Sequence, residues 1–464
     1  MKTLIGLLLF PCAFAQLSPE HQAARDILKQ LVEINTTDSS GNVTQAADAM
    51  AQRFRDAGFA ADDVKVLAPV PKKGNLVVRF HGLQRGKPVL FLAHLDVVEA
   101  RRSDWSFDPF RLTERDGWFY GRGTSDDKDG DADLVANFIR LKKEGFTPDR
   151  DLILALTADE EGGDYNGMDW LLKNHSDILD ATFCINTDAG GGELKNSKRI
   201  SFDVQGAEKG YQSFRFTVTN SGGHSSLPRK DNAIDSLAAA LVHLQGYTFP
   251  MKLNNITRGF FETMSSLETG QTARDMKAVA GANPPADAIS RLSESPYYNA
   301  LLRTTCVPTM LSGGHAENAL PQDATAIVNC RLVPDDTREG VTETLERLIH
   351  DQKVSVTPYG HPPESPSSVL TPEIRDVIQK VVDGMWPGIP ILPVMVTGGT
   401  DGRPLRLAGI PTFGVSGIWA DPDDERAHGR DERVNVQAFY DSVDFYYRLI
   451  REFGTQQLEL SAPK

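Results

Sequence analysis

A chain of 464 residues is longer than one hydrophobic core usually serves, so two domains are expected. Its formal net charge of -14, with Lys and Arg scattered rather than clustered, argues against nucleic acid and anionic membrane surfaces as partners, because phosphate binding needs gathered cations. Beyond Cys12 only Cys184, Cys306 and Cys330 occur, an odd number without metal-type spacing, which excludes a disulfide scaffold. Buried free thiols are the leading reading of these three, with a Cys306–Cys330 bridge as the alternative.

The opening MKTLIGLLLFPCAFAQ carries Lys2, an apolar run from Leu4 to Phe14 and the small-x-small triplet Ala13-Phe14-Ala15. It reads as a cleaved signal peptide over 1–15, too short to span a bilayer, so a secreted or periplasmic protein beginning near Gln16 is expected. A helical pattern then runs over 22–59, with Ile27, Leu31, Ala46, Met50 and Phe54 on its apolar face and Gly58 as a stop. Strand-like runs follow at 75–80, 89–92, 152–156 and 182–185, interrupted by a helix near 131–144. Continuous apolar runs interleaved with helices predict an α/β sheet buried on both faces.

Near Tyr211 the texture changes to the alternating strand 214–219, which has one wet face. After it come a helix at 233–244, a polar and irregular stretch at 252–296, a strand at 324–332, a helix at 339–350 and a strand at 354–358. This order predicts a small open α+β unit over 209–361, inserted into a catalytic domain made of 16–208 and 362–464. The Pro-rich HPPESPSS from His361 to Ser368 reads as the return hinge. Helices at 373–385 and 436–453 complete the chain.

Five segments place an acid or a His at a strand end or in the following loop. In Phe91-Leu92-Ala93-His94-Leu95-Asp96, residues two apart face the same side, so Asp96 is placed to bond one imidazole nitrogen of His94 while the other takes a metal. Gly121-Arg122-Gly123-Thr124-Ser125-Asp126-Asp127-Lys128 leads into a helix without the spacing of a phosphate-binding P-loop. Asp159-Glu160-Glu161 ends a buried strand, where three consecutive acids repel unless a cation or solvent relieves them. Asp188 follows the next buried strand, and His428 sits in Ala427-His428-Gly429-Arg430-Asp431-Glu432. Each has a structural explanation alone; together they form the inventory of a two-metal site with mixed N/O ligation.

HLDVV, GRGTSDDK, DEEGG, GGHSS, NCRLVP, GGTDGR and AHGRDE occur in this order. By them the chain resembles the zinc metallopeptidase family of aminoacylase, carboxypeptidase G, carnosinase-type dipeptidases, acetylornithine deacetylase and succinyl-diaminopimelate desuccinylase, from about Leu31 to Phe453. The resemblance implies a mixed sheet flanked by helices, with a ferredoxin-like lid and dimerisation domain. It implies two Zn²⁺, replaceable by Co²⁺ or Mn²⁺, held by His94, Asp126, Glu161, Asp188 and His428. Asp126 would bridge the ions and join Asp127 through a cis peptide; Glu160 would be the general base, with Asp96 orienting His94.

The same resemblance points to His224 in the inserted unit as an oxyanion donor, reaching the site by closure or from a partner subunit. Arg331, Arg403 and Asn318 would recognise a substrate carboxylate. Two departures stand out: Asp188 is the sole acid of its segment, as in peptidase branches, and Asp129 stands where relatives often have Gly. The implied activity is hydrolysis of a dipeptide or C-terminal peptide bond beside a free carboxylate, with N-acyl amino acids as the nearest rival substrates. A binding module that had lost the chemistry is expected to lack a ligand or the base, and all are present. Pairing of lid edges implies a homodimer, which the 252–296 stretch would obstruct or remodel.

Overall fold

The computed structural model describes residues 17–360 and 364–455, so the expected signal peptide and the start of the expected return hinge lie outside the described residues. The larger of two main sheets has ten strands. Its centre is Asn75–Phe80, Leu152–Thr157, Val89–His94, Phe183–Asn186 and Thr412–Gly414, in that spatial order. Val89–His94 is parallel to both neighbours, and it and Leu152–Thr157 are buried along their whole length, as apolar runs of this kind require. Helices Pro19–Val32, Lys128–Lys143 and Val436–Thr455 cover one face through residues such as Leu28, Phe138 and Phe453. Gly167–His175 and Gly402–Leu407 cover the other through Met168, Leu171 and Leu405. The carboxyl ends of the parallel strands therefore open on one edge, where open α/β sheets bind ligands.

The second sheet is antiparallel, in the order Thr305–Gly313, Asp323–Leu332, Gly210–Thr219, Val354–Tyr359. Alternate residues Phe214, Phe216 and Val218 pack under helices Ala233–Gln245 and Arg338–Ile349. Thr305–Gly313 forms an edge on which Val307, Met310 and Leu311 are exposed.

Two expectations change. The 22–59 pattern is two helices, Pro19–Val32 and Val43–Asp56, because Asn42 caps a new start by accepting from Gln45 N at 3.3 Å. The stretch 252–296 is not irregular: it holds Asn255–Leu267, Gly270–Ala280 and Ala286–Ser293, followed by Pro296–Leu302. A capping box between Asn254 and Thr257 opens the first of them. Ile256, Phe260, Phe261 and Met264 recur at helical spacing and pack, with Met276 and Leu301, on Leu392, Val394 and Met395 of the large sheet. Polar residues on the outer faces hide that stripe in the sequence.

The free-thiol reading of Cys306 and Cys330 is also corrected. They face each other across adjacent antiparallel strands and are joined in a disulfide, while Cys184 is a buried free thiol. The bridge closes a loop with a sequence separation of 24. Replacing both cysteines by alanine is expected to cost about 2–4 kcal/mol in chemical denaturation of the oxidised protein, chiefly by freeing the unfolded chain.

Helix Lys128–Lys143 buries three acids, Asp129, Asp131 and Asp133. Asp133 Oδ2 accepts from Ser442 Oγ, Oδ1 has no partner, and burial holds its carboxyl well above the ordinary value. Below the unfolded value of 3.8 the acid is protonated in both states and carries no penalty. Above it the unfolded chain releases the proton while the folded chain keeps it, so stability falls as pH rises. Asp133→Asn is expected to be near neutral at pH 4 and stabilising by about 1–3 kcal/mol at pH 8, read from paired thermal melts.

Candidate active site

His94 ends its strand with a buried imidazole. Nδ1 lies 3.0 Å from the backbone oxygen of Asp96, which fixes the ring, whereas the Asp96 carboxylate is 3.8 Å away. That carboxylate instead accepts from the amides of Glu160 and Glu161 at 3.1 and 3.0 Å. Asp96 thus ties the His94 strand end to the acidic loop by its backbone on one side and its side chain on the other.

Opposite, His94 Nε2 faces Asp126 Oδ1 at 3.0 Å and Asp188 Oδ1 at 3.8 Å. The other oxygen of Asp126 is 3.0 Å from His428 Nε2, which also lies 2.7 Å from Glu161 Oε1. One carboxylate therefore sits between two imidazoles. Donor atoms of His94, Asp126 and Glu161, and separately of His94, Glu160 and Asp188, all lie within 4.8 Å of one another. The Asp126–Asp127 peptide is cis, in line with the resemblance.

The electrostatics record this crowding. Burial would lower the His94 pKa, but Asp126 and Asp188 outweigh it and raise it well above the ordinary value. Hydrogen bonds to Asp126 and Glu161 push His428 up to about 10. Asp126 is depressed because the two imidazoles outweigh its burial. Glu160 and Asp188 are raised, by burial first and then by neighbouring carboxylates. Two imidazoles among four carboxylates, drawn together in a crevice that is buried at His94 and open at His428, are a donor set that divalent cations satisfy better than protons do. The residues present thus fit a metal centre.

Supporting groups escape the motif reading. Glu432, fully buried, accepts from Arg122 Nη1 at 2.6 Å, Gly123 N at 3.0 Å and Ser125 N at 2.9 Å. It locks the loop that carries Asp126 to the loop that carries His428. Asp127 accepts from Thr187 Oγ1 at 2.6 Å and so joins Asp126 to the Asp188 segment. Asp401 accepts from Thr157 Oγ1 at 2.6 Å and Asn166 Nδ2 at 2.7 Å, bracing both sides of the acidic loop. Lys128, whose pKa burial lowers to about 8, donates to the carbonyls of Leu31 and Ile34. The signal for Glu432 and Asp401 was their place within AHGRDE and GGTDGR.

The remaining sequence-derived residues lie elsewhere. His224, on the strand Gly223–His224, and Asn318, just before its partner strand Ala319–Leu320, are both exposed, and Ser225 N donates to Asn318 O at 3.0 Å. Arg331 bonds the Thr397 carbonyl at 3.2 Å and stacks on Tyr211, linking the small sheet to the loop before Asp401. Arg403 Nε donates to Glu364 O at 2.9 Å. None of these four is a partner in the carboxylate–imidazole cluster.

Known proteins resemble this chain in sequence and in fold. The chain is 30% identical over 380 residues to an N-fatty-acyl-amino acid synthase/hydrolase of Xenopus tropicalis, covering 80% of this chain and 73% of that protein. It is 31% identical over 388 residues to a probable carboxypeptidase S-like protein of Dictyostelium discoideum, covering 81% and 74%. Human carnosine dipeptidase 1 has a similar fold, with a TM-score of 0.63, 14% identity and coverage of 94% and 96%. An M20 family metallo-carboxypeptidase of Sulfolobus solfataricus superposes with a TM-score of 0.69, 16% identity and coverage of 94% and 100%. Among the described residues no helix is long and apolar enough to cross a membrane. The pattern of peptidase family M20/M25/M40 matches residues 90–452, and the chain belongs to that family of metallopeptidases and amidohydrolases.

Proposed function

We propose that this is a secreted two-zinc enzyme that hydrolyses an amide whose nitrogen belongs to an amino acid with a free carboxylate. The carrying observation is Asp126, which sits 3.0 Å from both His94 and His428, while Glu160 gathers with His94 and Asp188. In this reading His94, Asp126 and Asp188 hold one ion, and Asp126, Glu161 and His428 the other. When bound, such a pair polarises a carbonyl oxygen and makes water acidic near neutral pH. Glu160 takes the proton of the attacking water and delivers it to the leaving nitrogen. Asp96 keeps Glu160 and Glu161 in place, and Asp188, as an Asp rather than a Glu, favours a peptide.

A peptide or dipeptide bond is the first reading. The likeness to the Xenopus protein favours a second, an N-acyl amino acid, in which the same bond is cleaved. The inserted unit at 209–361 acts as a lid in this account. It brings Arg331 and Asn318 to the carboxylate and His224 to the developing oxyanion, by closure or from a second copy paired along Thr305–Gly313. The test is a substrate panel with the mature, zinc-loaded protein. Turnover of C-terminally free dipeptides or N-acyl amino acids, and loss of turnover when the carboxylate is amidated, is expected. Equal rates on amidated substrates would overturn the carboxylate requirement.

A further inference from the structure

A pocket of about 360 Å³ opens off the carboxylate–imidazole cluster, with Asp126 and Asp188 in its wall. Every ionisable side chain lining it is acidic: seven carboxylates and, among the described residues, no Lys, Arg or His. Metal ligation accounts for Asp126 and Asp188, and Asp127 is bonded to Thr187. Asp129, Glu193, Asp203 and Glu425 are left with no counterion in the lining. The cations nearby are engaged elsewhere. Arg426 and Arg433 both pair with Asp424, at 3.0 and 2.6 Å, and Arg122 pairs with Glu432. Lys195 acts on Glu193 from the same strand but does not line the pocket.

Asp129 points to a ligand on separate grounds. It is 5% exposed, it lines the pocket, and its Oδ1 has no hydrogen-bond partner. A carboxylate oxygen stripped of water and left unpaired is costly until a cation or donor meets it. Burial lifts the Asp129 carboxyl to about 8 and that of Asp203 to about 7, so the pocket withdraws water from both without supplying positive charge. The four acids do not converge on an inorganic ion, since neither close donor group among the described residues includes any of them. Their spread suits a flexible organic cation. Asp203 stands opposite Gly191, just beyond the Asp188 loop, and Glu193 lies about 7 Å further along that strand. The α-nitrogen of a peptide, bonded next to the carbonyl-bearing carbon, stays at the cluster; an amine at the end of a longer chain reaches these acids. No residue of the inserted unit lines the pocket, whereas Arg331 and Asn318, assigned to the substrate carboxylate, lie on that unit. The pocket is thus left for the acyl half.

Resting on the amide-hydrolase reading, we propose that this pocket binds a protonated amine carried several bonds from the scissile carbonyl on the acyl half of the substrate, with Asp129, Glu193 and Asp203 as its counterions. The favoured substrates are then peptides and acyl amino acids whose acyl half is a lysyl or longer ω-aminoacyl group.

The test compares N-(6-aminohexanoyl)-leucine with N-heptanoyl-leucine, in which a methyl group replaces the ammonium, and with N-adipoyl-leucine, using the zinc-loaded enzyme. kcat/KM for the aminohexanoyl compound is expected to exceed that for the heptanoyl compound by at least roughly tenfold, the order set by a charge-assisted hydrogen bond at a dehydrated site. Adipoyl should be the slowest of the three, and the aminohexanoyl preference should shrink as salt is raised. In the Glu193→Gln/Asp203→Asn double variant, and in Asp129→Asn, the ratio of aminohexanoyl to heptanoyl should fall at least about fivefold. Both rates are read in one sample, so a partly misfolded variant leaves the ratio untouched. A wild-type ratio near one, with good turnover of either compound or of dipeptides, overturns the amine site and leaves the amide-hydrolase reading intact. A high ratio that survives in both variants overturns it as well. Inactivity on all three compounds and on dipeptides would overturn the amide-hydrolase reading, and the amine site with it.

Discussion

Asp126→Ala is expected to leave a folded protein that binds little metal and loses at least about a thousandfold in kcat/KM. That exceeds the roughly 10–100-fold typical of residues that merely support a metal ligand. The reason lies in its two oxygens. Oδ1 is 3.0 Å from His94 and Oδ2 is 3.0 Å from His428, so one substitution removes a donor shared by both halves of the site. Two imidazoles and the acids Glu161 and Asp188 would remain, but nothing would join the two groups. Metal content by elemental analysis, with far-UV circular dichroism to confirm folding, is the check. Wild-type metal content in this variant would contradict a shared ligand.

Glu160→Gln is the complementary case. The substitution keeps size and polarity and removes only the proton-accepting oxygen, so metal content should stay at the wild-type level while kcat falls by roughly 10²–10⁴-fold. The backbone amide of Glu160 still bonds Asp96, so the loop should hold its shape. An unchanged KM beside the lowered kcat would place the loss in the chemical step. Near-normal kcat would remove Glu160 from the mechanism.

Much of the large sheet was legible in the sequence because its strands are apolar without interruption. Asn75–Phe80 matches its expected bounds, and Val89–His94 and Leu152–Thr157 extend theirs only at the ends that bear His94 and Thr157. The helices over 252–296 were not legible. Their apolar stripe is diluted by polar outer faces, and their partner, the Ile391–Val396 strand, lies more than a hundred residues away. The Cys306–Cys330 bridge depends on strand register, which residue spacing alone does not fix.

The site shows the same division. His94, Asp126, Glu160, Glu161, Asp188 and His428 were readable because each is a polar residue at the end of an apolar run or in a glycine-punctuated loop. Glu432 and Asp401 were not, although both are buried and hold those loops together through several hydrogen bonds. Beyond a place within AHGRDE or GGTDGR, an acid held by buried hydrogen bonds leaves no pattern distinguishing it from a solvated one. For Asp96 the alternation of the strand points to the right neighbour and the wrong atom, since its backbone, not its carboxylate, is the closer partner of His94 Nδ1.

The most direct test of the central claim is a zinc titration of chelator-stripped protein, following hydrolysis of a carboxylate-bearing amide alongside bound metal. Activity should be negligible without metal and should reach its plateau at two zinc ions per chain, as expected where Asp126 is shared between His94 and His428. A plateau at one ion per chain, or full activity in the stripped protein, would contradict the account.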